Sequence, residues 1–326
     1  MTWPIAKATV DLLLNSVSDD KLLSIYGGEP LLQFPLLKQT VMYAREMEKE
    51  NNKHLTITCC TNSLLLKDEH LSFFKEFNVL IHVSLFGHEE DNDRYRAKGF
   101  KKVIENLAKS SEVLGPTRTA ACVCVTPQTV HYLREDIETI RQKTGTRVLT
   151  IEPIIEFESW KLEEVAVFLE QMRLICQDLK SSVTINSPFF LNSLCWHLVG
   201  TRRNKFTMNP GYDQCPFSGT IDVSPSGDIA FSSFALYAKK EKRGVVGNVQ
   251  EQDGAWWQSC AFKRESTTCL DCYSKHYSLG VPSDKSNYLM KYMDAIIDET
   301  ARFLQAAAKS DQRYGQYIKE AQAYAS

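Results

Sequence analysis

Between Leu22 and about Glu156 short β-rich runs alternate with amphipathic helical ones, and few architectures accommodate that rhythm. The strand-like runs are Leu22 to Tyr26, Leu55 to Cys59, Val79 to Leu85, Thr119 to Val125 and Arg147 to Ile151. Helical patterns fill about Pro35 to Glu50, Asp68 to Phe77, Lys101 to Leu114 and Val130 to Lys143. Repeated strand-then-helix units of this length predict a parallel sheet covered by helices, either an open α/β sheet or a (β/α) barrel. Ligand chemistry in such folds gathers at the carboxyl ends of the strands. Gly27-Gly28-Glu29-Pro30, Thr61-Asn62-Ser63, Ser84 and Thr126-Pro127 fall at those ends.

Further helical patterns cover about Lys161 to Leu179 and Phe189 to Leu198, and the texture changes near Arg202. From Asn209 to Ser283 the chain is punctuated by Gly, Pro, Ser and Cys, with short β runs and no long periodic helix. Tyr288 to Tyr324, with Leu289, Met293, Ile296, Ile297, Phe303 and Leu304 at helical spacing, predicts a closing helix. The expected division is therefore a sheet-and-helix domain over 1–201, a small cysteine-bearing domain over 202–284 and a helical tail over 285–326.

A formal net charge of -2 gives no electrostatic reason to expect nucleic acid or an anionic membrane as a partner. The first residues form an amphipathic helix, not a signal peptide, and no stretch reaches the roughly 18 to 20 apolar residues of a membrane span. With ten cysteines and no secretory signal, the expected compartment is the cytoplasm, where clustered cysteines suggest metal more than disulfides.

The strand-end motifs occur in a fixed order that resembles the radical S-adenosylmethionine (SAM)/SPASM family, which includes anaerobic sulfatase-maturating enzymes and peptide maturases. Its carriers are Gly27-Gly28-Glu29-Pro30, Thr61-Asn62-Ser63, Ser84-Leu85-Phe86-Gly87, Asp93 to Arg96 with Gly99, then Cys215, Gly227-Asp228-Ile229, Gly247-Asn248 and Cys269-Leu270-Asp271-Cys272. The resemblance implies an incomplete (β/α) barrel followed by a degenerate SPASM-like domain. It also implies a SAM cradle of Gly27, Gly28, Glu29 and Pro30, with Asn62 and Ser84 suited to the ribose and carboxylate of SAM. The residue types allow other roles: Glu29 can lock neighbouring strands, and Asn62 and Ser84 can cap turns.

The departures from the family are chemical. Its members hold a [4Fe-4S] cluster on C-x-x-x-C-x-x-C ahead of the glycine motif, whereas no cysteine here precedes Cys59, so no radical SAM cluster is expected. Phe86 stands where the family has an acid, and Cys122 where it commonly has an arginine. The auxiliary-cluster pattern is broken at Ser232, Ser278 and Pro282. The surviving Cys215, Cys260, Cys269 and Cys272 suit one tetrahedral zinc or a residual iron-sulfur cluster, or they persist without metal. The remaining cysteines read as small buried hydrophobes.

Three functions follow. The first is a pseudoenzyme without independent radical activity, a peptide- or protein-binding accessory to a paralogous active subunit. The second is a truncated or mis-started maturase whose upstream residues supply the cluster, and the third is an iron-free binder of SAM or a nucleotide. Nucleic acid and membrane are not expected partners in any of them.

Overall fold

The computed structural model describes residues 1–16, 19–96, 98–154, 160–199, 221–230, 236, 245–251 and 283–325. The chain divides into two compact units, Met1–Leu23 with Pro35–Thr56 and Arg202–Tyr288, and Ser24–Phe34 with Ile57–Thr201 and Leu289–Ser326.

Six strands form one sheet in chain order: β1 (Asp20–Ile25), β2 (His54–Thr61), β3 (Val79–Leu85), β4 (Thr119–Val125), β5 (Val148–Pro153) and β6 (Phe190–Leu191). Successive pairs from β2 to β6 are parallel. Between them run α2 (Phe34–Glu50), α3 (Asp68–Glu76), α4 (Glu89–Tyr95), α5 (Phe100–Leu114), α6 (Leu133–Thr144) and α7 (Leu162–Thr184), with α1 (Trp3–Leu14) before the sheet and α8 (Asn192–Val199) after it. This is the expected α/β sheet of a partial barrel, and among the described residues β1 and β6 are its two ends.

Strand alternation gives the sheet two different faces. Ile57, Ile81, Val83, Ala121, Val123 and Leu149 are fully buried, and α3, α5 and α6 pack against β3 and β4. The opposite face is polar. Register sets Cys60 beside His82, Ser84 beside Cys122, Cys122 beside Thr150 and Cys124 beside Glu152.

Three elements differ from expectation. Phe190 and Leu191, taken as the start of a helix, pair with Val148 and Leu149 as β6. The helix α4 begins at an acidic, apolar-poor run that carries no helical periodicity. The closing helix is two, α9 (Ser283–Ala307) and α10 (Gln312–Ala325). Its apolar periodicity runs on, but the Asp311 carboxylate accepts from the Arg313 backbone N–H at 2.9 Å and starts a new helix as an N-cap does.

Residues from α10 complete the core of the sheet-bearing unit. The Tyr317 ring stacks on Phe190 at 5.0 Å and its hydroxyl donates to the Phe189 carbonyl at 3.0 Å. Arg147 donates to Glu320 at 3.3 Å.

The other unit has its own local ties. The Arg45 guanidinium donates to Glu48 at 2.7 Å and to the Leu55 carbonyl at 2.6 Å, while Leu55 N–H donates back to Glu48, fastening the end of α2 to the first residues of β2. A three-stranded antiparallel sheet joins β7 (Asp222–Val223), β8 (Asp228–Ala230) and β9 (Val245–Asn248).

Candidate functional site

The loops after β1 and β2 meet at one carboxylate. Gly27 and Gly28 have φ of 90° and 50°, a left-handed path that residues with a Cβ seldom take. The path brings Glu29 back over the sheet as the N-cap of a 3-10 turn, Pro30–Gln33. There Glu29 Oε1 accepts from Leu31 N–H at 3.0 Å and from the Thr61 hydroxyl at 2.7 Å. Its Oε2 accepts from Asn62 N–H at 2.8 Å.

The receiving turn is equally well built. Thr61 Oγ1 accepts from Ser63 N–H at 3.0 Å, and Asn62 Oδ1 accepts from Leu64 N–H at 3.0 Å. Ser63 is fully buried with φ of 60°, and its carbonyl is held by Asn106 Nδ2 at 2.6 Å from α5.

The candidate residues therefore stand in different states. Gly27 and Gly28 are exposed, and space around Gly28 is open on the side a Cβ would take. Glu29 is half-buried with both oxygens engaged inside the protein, and Pro30 opens the 3-10 turn. Asn62 uses its oxygen in the turn, while its Nδ2 has no partner among the described residues. Ser84 lies half-buried on the polar sheet face, its hydroxyl likewise without a partner there. Two motif-end groups are thus free to meet a ligand, and the carboxylate is fixed in place. Cys215, Cys260, Cys269 and Cys272 lie outside the described residues.

His82 belongs to the same polar face and was not among the residues singled out in the sequence. It sits two positions before Ser84, and its Nε2 is buried with no partner among the described residues. Burial pushes its pKa down to about 4, so it is a neutral imidazole at ordinary pH. The signal was the alternation Leu80, His82, Ser84, which puts a histidine on the polar side of a strand.

Cys59, Cys60, Cys122, Cys124, Cys176 and Cys195 are all free thiols. Burial raises the pKa of Cys60 to about 11 and of Cys195 to about 12, and raises Cys59, Cys122 and Cys176 as well. A metal or cluster needs thiolates that converge. Among the described residues no group of three Cys, His, Asp or Glu side chains is placed to hold a metal ion. A cluster does not fit the described donor set. SAM fits in part, with the glycine turn, Asn62 and Ser84 available to hold it.

Comparison with known proteins bears on the fold that carries these residues. Residues 7–140 match the family model described as the Radical SAM superfamily. A stretch of 114 residues, 33% of this chain, is 33% identical to the serine-type anaerobic sulfatase-maturating enzyme of Bacteroides thetaiotaomicron and spans 27% of that protein. Native anSMEcpe with bound AdoMet has a similar fold, with a TM-score of 0.62 and 15% identity, covering 93% of this chain and 90% of that one. The same protein with bound AdoMet and the Kp18Cys peptide gives a TM-score of 0.61 at 15% identity over 93% and 91% of the two chains.

Proposed function

From the match of residues 7–140 to the radical SAM superfamily, we propose that this chain keeps the fold as a peptide- or protein-binding scaffold that makes no 5'-deoxyadenosyl radical by itself. In this reading it serves a modification reaction in the cytoplasm as the accessory to a paralogous active subunit, with neither nucleic acid nor membrane as a partner. Segment 202–284 acts as a degenerate SPASM-like domain, holding at most one ion through Cys215, Cys260, Cys269 and Cys272. The observation that carries the reading is the state of the thiols: burial holds Cys59, Cys60, Cys122, Cys176 and Cys195 as thiols, and among the described residues no three donors converge as a cluster requires. The similar fold of anSMEcpe, solved with bound AdoMet and the Kp18Cys peptide, supports peptide as the ligand class.

The deciding experiment is anaerobic reconstitution with iron and sulfide, followed by assay for 5'-deoxyadenosine from SAM. No release above controls is expected; catalytic release sinks the proposal. A second reading, an iron-free SAM binder, is favoured by the unpartnered Asn62 Nδ2 and Ser84 hydroxyl. Calorimetry with SAM in the absence of iron tests it, with loss of heat in the double variant Asn62→Ala, Ser84→Ala as the expected sign.

A further inference from the structure

Along one face of α10 stand Tyr314, Tyr317, Ala321 and Tyr324, spaced three and four residues apart as one side of a helix requires. The first three are buried, whereas Arg313, Gln316, Lys319 and Gln322 on the other side are exposed. Successive contacts lead the helix across the sheet-bearing unit. The Tyr314 hydroxyl donates to the Lys180 carbonyl of α7 at 3.3 Å, Tyr317 is held at Phe189 and Phe190, and Gln322 Nε2 donates to the Leu198 carbonyl of α8 at 3.4 Å.

Where this stripe ends, the helix reaches the polar sheet face. Tyr324 is half-buried as a residue, and its phenol oxygen is the enclosed part: burial raises its pKa, and Cys195 of α8, Cys122 of β4 and Cys60 of β2 raise it further. Cys60 and Cys122 lie on strands that are not neighbours, and they share the polar face with His82 and Ser84, which stand beside them in register. A phenol on which both thiols act stands over the face, not at its edge.

The two tyrosines differ in how they are held. Tyr317 has a stacked ring and a hydrogen bond, and Tyr324 makes neither among the described residues. Tyr324 also sits in the last turn of its helix, where the final carbonyls have no following N–H and local opening begins.

We propose that the last turn of α10 is an intrachain stopper: Tyr324 covers the polar face over Cys60 and Cys122, and the turn unwinds beyond the Tyr317 anchor to admit solvent and small solutes to it. The bulk of the ring closes the face, since the hydroxyl has no partner there. Opening in this way exposes the surface beside Ser84 while the sheet stays folded.

Alkylation of the full chain with iodoacetamide in graded urea below the unfolding transition, read by peptide mapping, follows single thiols. Cys122 should react through a local opening with little urea dependence, while Cys59, fully buried on the other face of the sheet, should react only through global unfolding. In Tyr324→Ala the Cys122 rate should rise about tenfold with that of Cys59 unchanged. A Cys122 that shares the urea dependence of Cys59 in the wild-type protein overturns the stopper, and so does a folded Tyr324→Ala variant in which Cys122 gains no more than Cys59. The wild-type comparison needs no variant, so it decides even where Tyr324→Ala does not fold.

Discussion

Glu29 Oε1 lies 2.7 Å from Thr61 Oγ1, and through this bond the loops that leave two strands of the sheet are stapled together. A carboxylate so placed acts on stability before it acts on any ligand. It accepts three hydrogen bonds, two of them from backbone N–H groups that would otherwise lack a protein acceptor.

Glu29→Gln keeps the shape but replaces one accepting oxygen with an NH2 that faces donors. Unfolding in urea should show a loss of about 1–3 kcal/mol, and Thr61→Val a smaller loss of about 1 kcal/mol. The two losses should not add, since both remove the same bond. An unchanged midpoint for Glu29→Gln would remove the staple from the account.

The buried thiols should be chemically silent in the folded protein. Iodoacetamide at neutral pH is expected to leave Cys59, Cys60, Cys122 and Cys195 unmodified until denaturant is added, because burial holds them as thiols. Mass mapping of the native and unfolded protein makes the comparison. Rapid native labelling of Cys60 or Cys122 would mean that the polar sheet face opens to solvent.

His82 should make stability depend on pH in a definite direction. Its folded pKa of about 4 lies below the unfolded value of about 6.5, so in that interval the unfolded chain binds more protons than the folded one. Stability is therefore lost as pH falls from about 6.5 towards 4, by up to about 3 kcal/mol from this group. In His82→Leu that portion of the slope should vanish in denaturant titrations repeated across the interval. An identical pH profile for the two proteins would show that the imidazole is hydrated in the fold.

Gly87→Ala forces a methyl group into the Asp136 carboxyl, and a cost of about 1–3 kcal/mol is expected from the displacement. Placed on an Asp136→Ala background, the same change should cost less than half as much. Additive losses would locate the strain in the backbone.

Tyr317 ties α10 into the sheet-bearing unit by a stacked ring and a hydroxyl. Tyr317→Phe is predicted to lose about 1 kcal/mol. Tyr317→Ala empties a fully enclosed site and should cost about 3–5 kcal/mol. Thermal unfolding of both variants provides the check, and equal small shifts would contradict the close packing seen around Phe190.

The strands β2 to β5 were legible because each is a run of β-branched and apolar residues between turn signals. β6 was not, since two residues, Phe190 and Leu191, carry no period and owe their state to pairing with β5. The glycine turn and Thr61-Asn62-Ser63 could be placed at strand ends from order alone. That Glu29 would face inward to Thr61 is a contact across 32 positions, which no local pattern encodes. Asp136 was hidden for the opposite reason. It stands between Leu133 and Ile137 in an amphipathic helix, where an acid reads as part of the solvated face.

The union of Tyr317 with Phe189 and Phe190 also sets a clock. The hydroxyl reaches across 128 residues of chain, and at typical rates of translation about 10 s pass between the synthesis of one partner and the other. During that interval β6 has left the ribosome, while the ring that stacks on it does not yet exist. An aromatic strand at the end of the sheet waits uncovered, the condition under which nascent chains associate or recruit chaperones. Final closure of this core is therefore a late event in the life of the chain, and slowing translation between the codons for β6 and α10 should lengthen that exposure.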